Sequence, residues 1–169
     1  MRSVASHRVE SFAGELTVPG DKSISHRALI SGASAVGETR ILGLLDGGDI
    51  KATANALRLL GADIAKNNDG SWSVLGRGVG GLSESPSILD MGNSGTGVRL
   101  LMGLVAAHPF NTMFSGDVSL STRPMERVMD PLRRMGADFM ARLLPAQARS
   151  LRSPGHGQVD LLRSTQPGL

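Results

Sequence analysis

Apolar residues recur at helical spacing in two segments of the chain, and the two segments match each other position by position. In matching order these positions are Ile50, Ala54, Leu57 and Leu60 in the first copy and Met125, Met129, Leu132 and Met135 in the second. Spacings of three and four residues bring such side chains to one face of a helix. Each stripe is followed by a glycine, Gly61 or Gly136, where a helix commonly ends, and then by a short extended segment. The pattern predicts a repeated unit that contains an amphipathic helix.

One proline distinguishes the second copy from the first. Pro131 falls inside the second stripe, and a proline within a helix removes a backbone hydrogen bond at a cost of about 3 kcal/mol or more. We therefore expect the second helix to be kinked, or to restart at Asp130-Pro131.

A second pair of matching segments lies upstream of the stripes. Residues 22–30 correspond to residues 94–102, because each begins with small polar residues, carries one arginine and continues into an apolar helix. The flanking runs expected to be strands are residues 15–19 and 39–42 in the first copy and residues 87–90 and 111–114 in the second. A hairpin closes the first copy, with Asn-Asp-Gly at residues 68–70 as its turn and Trp72 and Val74 alternating after it.

Each unit thus has the order strand, helix, strand, helix, strand, strand. The predicted fold class is α/β, or α+β, built from repeated βαβαββ units, with fewer than two complete units present. The second unit lacks its closing hairpin, since residues 141–149 contain neither a turn signal nor alternation, and residues 152–169 show no hydrophobic period. We expect residues 143–169 to be an irregular, disordered or frameshifted tail, and residues 21–142 to hold the folded part.

Charge and composition exclude nucleic-acid binding as the leading hypothesis. The net charge of +3 comes from the tail, where four arginines outnumber Asp160, while residues 1–140 carry acidic and basic side chains in equal number. Aromatic residues make up 3% of the chain, so the stacking surfaces that bind single strands are missing. We expect no nucleic-acid partner.

Metal, thiol and membrane functions are also disfavoured. The chain has no cysteine, and its four histidines are scattered rather than spaced as metal ligands. Its longest apolar stretch, residues 100–107, is far shorter than the roughly 20 residues that cross a bilayer. The first residues lack the apolar segment of a secretory signal. We expect a cytoplasmic protein with no metal site and no membrane span.

Three loops near helix starts carry small hydrogen-bond donors or glycines, and the first and third also carry cations. The candidate binding residues are Lys22, Ser23 and Arg27 in residues 20–27, Asn93, Gly95 and Thr96 in residues 92–97, and Arg123 in residues 116–125. Helix N-termini bind phosphate and carboxylate through unpaired N–H groups and a partial positive charge. Each loop alone is also consistent with a purely structural role, as a capped helix with solvated cations. Ser23 and Ser25 can either cap the first helix or donate to a ligand, and Pro124 can be the first residue of another helix. Together they predict a site for a ligand with more than one anionic group.

Several motifs of the chain resemble those of the 5-enolpyruvylshikimate-3-phosphate synthase family and follow that family's order. They are Pro-Gly-Asp-Lys-Ser-Ile-Ser-His-Arg at residues 19–27, Gly-Glu-Thr at residues 37–39, the Gly-Ala helix ends, Gly-Asn-Ser-Gly-Thr at residues 92–96, and Gly-Asp to Arg-Pro-Met across residues 116–125. The resemblance covers residues 12–142. Residues 97–100 (Gly-Val-Arg-Leu) resemble the bacterial class of the family with reduced sensitivity to glyphosate.

The resemblance implies a fold, an activity and a set of site residues. The family folds as two domains of three βαβαββ units each, which close over the substrates. It transfers enolpyruvyl from phosphoenolpyruvate to the 5-hydroxyl of shikimate 3-phosphate and releases phosphate, a step toward chorismate and the aromatic amino acids. It needs no metal or cofactor and is usually monomeric. The implied site residues are Lys22, Ser23 and Arg27 for shikimate 3-phosphate, Lys22, Gly95 and Arg123 for phosphoenolpyruvate, Lys22 for acid–base catalysis, and Asn93 and Thr96 as shapers of the loop.

Parts of the family pattern are absent from this sequence. The serine-rich Ser-Ala-Gln motif that binds shikimate 3-phosphate is missing, with Gln158-Val159 at most a remnant, and so is the second domain. The resemblance places residues 1–20 against that domain, which would leave Phe12 and Leu16 without partners. We therefore expect a fragment with half of a binding cleft, inactive alone. The alternatives are a non-catalytic anion-binding βαβαββ module and a truncated chain that does not fold stably.

Overall fold

The computed structural model describes residues 3–140 and, as backbone, residues 158–163. Its helices are α1 (Lys22–Ser34), α2 (Gly48–Leu59), α3 (Gly95–Val105), α4 (Val118–Ser121) and α5 (Glu126–Arg134). Its strands are β1 (Val36–Ile41), β2 (Asp63–Lys66), β3 (Trp72–Arg77), β4 (Leu89–Asp90), β5 (Asn111–Gly116) and β6 (Gln158–Arg163). The mixed α/β class predicted from the repeat is confirmed.

The first unit is an antiparallel sheet covered by α1. Strand β3 lies between β1 and β2, pairing with both in antiparallel fashion. The predicted hairpin is confirmed, because the N–H of Asn67 donates to the carbonyl of Ser71 at 2.8 Å and closes the turn between β2 and β3. Leu29 and Ala33 of α1 are buried in the same core as Val74 of β3.

The second sheet has the order β4, β5, β6. Strands β4 and β5 are parallel, and β6 runs antiparallel to β5 from Gln158↔Gly116 to Arg163↔Asn111. The expectation of an irregular tail is therefore wrong for residues 158–163. An antiparallel partner satisfies the hydrogen-bonding groups along β5, and the run from Gln158 to Arg163 supplies it without a local turn. The remaining tail residues lie outside the described part of the chain.

Three further expectations differ from the structure. Residues 15–19 form no strand, because no other described strand pairs with them, and Leu16 is 74% exposed. Helix α5 runs through Pro131 to Arg134, so of the two alternatives expected for this helix the restart at Asp130-Pro131 is wrong; the proline costs one hydrogen bond without ending the helix. Pro124 precedes the N-cap residue Met125 and is not the first helical residue.

The core joins the helices to the sheets. Among the described residues, its largest fully buried apolar side chains are Leu29, Ile50, Leu57, Leu60, Val74, Leu89, Met91, Leu101, Met102, Phe114 and Met129. The first apolar stripe is fully buried, as predicted. The second is not, because Met129 is buried whereas Met135 is 75% exposed.

Both predicted helix ends are confirmed. Gly61 and Gly136 have φ of +98° and +97°, a backbone conformation that favours glycine. In each copy the next N–H turns back into the helix: Ala62 donates to the carbonyl of Leu57 at 3.0 Å, and Ala137 to that of Leu132 at 3.1 Å. The two units are thus alike in their local geometry where α2 and α5 end.

Candidate anion-binding site

The first turns of α1 and α3 both lie against the first half of α2. On one side, Lys22 of α1 forms an ion pair with Asp49 of α2, and one turn later the Nδ1 of His26 lies 2.9 Å from the Oγ1 of Thr53. On the other side, a Cβ built on Gly97 of α3 would lie 2.7 Å from the same Thr53 Oγ1. The loops that start α1 and α3 are therefore neighbours.

The first loop presents its charged side chains to solvent. Asp21 caps α1 by accepting a hydrogen bond from the N–H of Ile24 at 2.8 Å. Of the two roles expected for Ser23 and Ser25, capping is therefore wrong: Ser23 is exposed, and the Ser25 hydroxyl is buried between the carbonyl of Asp21 and the N–H of Leu45. Aspartate at the cap leaves the hydroxyl of Ser23 available to a ligand.

Arg27 lies folded along the same turn. Its Nη1 donates to the carbonyl of Ser23 at 3.0 Å, and the residue is exposed. Lys22 is about half exposed even though it is paired with Asp49. The structure thus brings Lys22, Ser23 and Arg27 together at one helix N-terminus, as the sequence analysis expected.

The second and third loops form one group. Asn93 donates through Nδ2 to Asp117 at 2.7 Å and accepts through Oδ1 from Nη2 of Arg123. Arg123 also donates to the hydroxyl of Ser119 at 3.3 Å, and a Cβ built on Gly95 would lie 2.5 Å from its Nη1. Arg123 therefore stands directly over the first residue of α3. Thr96 is the exposed next residue of that turn.

Ser94 caps α3, accepting from the N–H of Gly97 at 3.2 Å. The carboxyl of Asp117, which caps α4, has its pKa lowered by the hydrogen bond from Asn93 and by the N–H of Leu120. It is therefore a carboxylate near neutral pH and a firm acceptor for Asn93.

Sequence reasoning missed Arg99. Its Nη1 donates to the carbonyl of Gly95 at 2.9 Å and its Nη2 to that of Pro124 at 3.0 Å, so it ties the second loop to the third. Burial lowers its pKa, as do the positive charges of Arg127 and Arg123. The repeat held the signal, because Arg99 matches Arg27 and both bond the carbonyl four residues earlier.

Asp49 was missed as well, since nothing in its local sequence marks it. It lies in the first turn of α2 and pairs with Lys22. His26 is fully buried beneath this pair. Its pKa is lowered by burial and by the charges of Lys22 and Arg27, against an opposing effect of Asp49.

Three arginines of this region lack a direct ion-pair partner, although the Asp117 carboxylate acts on one of them, Arg123, which it reaches through Asn93. Within residues 3–140, Arg27, Arg99 and Arg123 form no ion pair and bond carbonyl, amide or hydroxyl oxygens. All three lie near helix N-termini, where the helix dipole is also positive. Arg58 and Arg77 bond neutral acceptors too, but at the C-terminal end of α2, where a cation is favoured. Arg27, Arg99 and Arg123, unlike Arg58 and Arg77, therefore favour the binding of an anionic ligand.

Lys22 and Arg27 on one side, and Gly95 and Arg123 on the other, make no hydrogen bond with each other in the described part of the chain. They are neighbours through α2 rather than direct partners. The geometry defines an α/β protein with two neighbouring cationic helix N-termini, here called mouths: the α1 mouth with Lys22, Ser23 and Arg27, and the α3 mouth with Gly95 and Arg123.

Comparison with known proteins identifies the family. The model of the family EPSP synthase (3-phosphoshikimate 1-carboxyvinyltransferase) matches residues 7–154, and the chain belongs to this family. It is 60% identical over 141 residues to the 3-phosphoshikimate 1-carboxyvinyltransferase of Paramagnetospirillum magneticum, covering 83% of this chain and 32% of the relative. It is 64% identical over 150 residues to that of Parvibaculum lavamentivorans, covering 84% of this chain and 33% of the relative.

A solved structure agrees with the fold. EPSP synthase from Acinetobacter baumannii superposes with a TM-score of 0.73 at 47% identity, covering 77% of this chain and 30% of that one. The chain thus spans about a third of the length of the relatives it matches. No helix in residues 3–140 is long and apolar enough to cross a membrane.

Proposed function

We propose that this chain supplies the cationic part of an active site that transfers enolpyruvyl from phosphoenolpyruvate to the 5-hydroxyl of shikimate 3-phosphate, with release of phosphate. The observation that carries the proposal is the set of three arginines beside two helix N-termini, which form no direct ion pair within the described residues and bond neutral oxygens instead. Family membership supports the identity of the two anionic substrates.

The proposed substrate-binding roles divide between the α1 mouth and the α3 mouth. Lys22, Ser23 and Arg27 bind shikimate 3-phosphate, whose phosphate suits an exposed helix start with a lysine and an arginine. The guanidinium of Arg123 binds phosphoenolpyruvate together with the N–H of Gly95, which exchanges its 2.9 Å hydrogen bond to the carbonyl of Asn93 for the ligand. Lys22 serves both substrates. Asn93 supports this second mouth by accepting from Arg123, and Thr96 extends it.

The chemistry needs such an arrangement. Joining two phosphorylated substrates gathers several negative charges, and cations held in place before the reaction stabilise that charge without reorganising. Lys22 is the candidate acid–base residue, and the ion pair with Asp49 keeps its ammonium at the mouth of α1. We further propose a cytoplasmic, monomeric protein, on the strength of the family resemblance.

Calorimetric titration of the 169-residue chain with shikimate 3-phosphate tests the first mouth. Losing one charge-assisted contact of about 1.5–3 kcal/mol should weaken binding about 10- to 100-fold in Arg27→Ala. Arg77→Ala is the matched control, because it removes an arginine at the other end of α2 and should leave the affinity unchanged. Binding that survives Lys22, Arg27 and Arg123 substitutions alike would contradict the proposal and favour a non-catalytic anion-binding module.

A chimera tests the reaction itself. Residues 7–140 replace the matching segment of the Parvibaculum lavamentivorans relative, and phosphate release is measured with both substrates. We expect turnover by the chimera, its loss in the Lys22→Ala chimera, and none by the 169-residue chain alone. Turnover by the Lys22→Ala chimera at the parent rate would refute the catalytic role of Lys22.

A further inference from the structure

His26 and Thr53 form a buried polar contact between two helices of the core. Both residues are fully buried, and the Nδ1 of His26 lies 2.9 Å from the Oγ1 of Thr53. The other ring nitrogen, Nε2, is buried and has no hydrogen-bond partner within the described residues. A well-packed apolar pair would be about as stable at such a position, whereas a polar contact demands a defined geometry.

This contact lies directly beneath the two mouths. His26 is adjacent to Arg27 and one turn from Lys22, and Thr53 is one turn from Asp49, the partner of Lys22. The His26–Thr53 contact therefore depends on where the first turn of α1 lies against α2.

Thr53 also meets the first turn of α3. A Cβ built on Gly97 would lie 2.7 Å from the Thr53 Oγ1 and 2.5 Å from the Oγ of Ser94, the cap of α3. Glycine lets α3 approach the same hydroxyl that His26 bonds. One hydroxyl thus touches both helix starts.

We propose that His26 is a positioning residue: through Thr53, its ring sets the placement of the first turn of α1 relative to the first turn of α3. The inference rests on the proposed function, because two substrates held at two mouths must meet at a defined distance. His26 touches neither substrate and acts through Thr53.

Paired substitutions separate geometry from mere packing. Asparagine carries a polar atom close to the place of Nδ1, so His26→Asn keeps the contact, whereas the amide of His26→Gln reaches toward the place of Nε2. Thr53→Ser keeps the hydroxyl, and Thr53→Val removes it at nearly equal volume. Melting temperatures confirm that each variant is folded at the temperature of measurement.

The first experiment needs no ligand. Because the chain has no cysteine, cysteines at the exposed positions Ile24 of α1 and Gly103 of α3 carry two unique spin labels. Pulsed EPR then measures the distance distribution between the helices. We expect the parent distribution in His26→Asn and Thr53→Ser, and a shifted or broader one in His26→Gln and Thr53→Val. The same distribution in all four folded variants overturns the inference.

The second experiment measures the coupling of the two mouths. Calorimetry gives the affinity for phosphoenolpyruvate with and without saturating shikimate 3-phosphate. Loss of the contact should reduce the coupling between the ligands by about fivefold or more, with the affinity for shikimate 3-phosphate alone unchanged within about twofold. A third outcome separates the two hypotheses. If the spin-label distances change in His26→Gln and Thr53→Val but the parent chain binds neither ligand, the positioning contact is supported and the proposed function is refuted. Coupling that falls equally in His26→Asn and His26→Gln overturns the inference.

Discussion

Replacing Gly95 by alanine should damage ligand binding without damaging the fold. The Cβ of alanine would lie 2.5 Å from Nη1 of Arg123 and 3.1 Å from Nη1 of Arg99. Non-bonded heavy atoms settle at roughly 3.5 Å or more. Arg123, at the end of a flexible side chain, must therefore swing away from its place above the start of α3.

The magnitude follows from the contact that is lost. A charge-assisted hydrogen bond contributes about 1.5–3 kcal/mol, which corresponds to an affinity for phosphoenolpyruvate about 10- to 100-fold lower. Stability should hardly change, because alanine is the better helix former by up to about 1 kcal/mol and the guanidinium can move into solvent.

Gly103→Ala is the matched control for this prediction. Gly103 lies in the same helix, and a Cβ built there meets nothing within 4 Å. Calorimetric titration with phosphoenolpyruvate, in the presence of shikimate 3-phosphate, should give parent affinity for Gly103→Ala and the predicted loss for Gly95→Ala. Equal affinities in the two variants would refute the placement of Arg123 over Gly95 as a binding feature.

Three further predictions concern stability, measured by chemical denaturation. Gly97→Ala should destabilise the chain by about 1–3 kcal/mol, because its Cβ meets buried hydroxyls, whereas Gly103→Ala should stabilise it slightly; the same sign in both would contradict the close approach of α3. Leu57→Ala should cost about 2–5 kcal/mol, and Leu59→Ala far less, because Leu59 is 36% exposed on the same helix whereas Leu57 is fully buried; equal costs would disprove the orientation of α2. Because burial lowers the pKa of His26, the unfolded chain binds a proton at higher pH than the folded chain. Stability should then be complete above about pH 6.5 and fall below it by at most about 1.4 kcal/mol per pH unit, and a parent-like slope in His26→Asn would exclude His26 as its source.

Local signals made much of the first unit predictable. The stripe from Ile50 to Leu60 needs only the period of a helix, and Gly61 marks its end because its backbone favours glycine. The hairpin between β2 and β3 likewise depends on residues close together in sequence. Such features do not depend on the rest of the chain.

Strands were harder to predict where the pairing partner is distant in sequence. Residues 15–19 have the composition of a strand but no described neighbour to pair with, whereas residues 158–163 lack a turn signal and yet pair with β5. A strand is a property of two segments, so one segment alone cannot predict it.

The candidate site shows the same division. The motifs identified Asn93, Gly95 and Arg123, which the structure brings together. They did not identify Asp49, whose role depends on the packing of α2 against α1. The repeat also predicts Arg99 as a site residue, because it matches Arg27, which the motifs identify as a candidate binding residue.

The hydrogen bonds that Arg27 and Arg99 donate to backbone carbonyls also affect the side-chain entropy that is lost when these arginines bind an anion. A free arginine side chain samples many rotamers, and immobilising one costs up to about 2 kcal/mol. Each of these guanidiniums is already docked on its own helix, at 3.0 Å and 2.9 Å. Each contact restricts the rotamers of its arginine before a ligand binds, so part of the entropy cost of ordering the side chain does not have to be met again on binding an oxyanion.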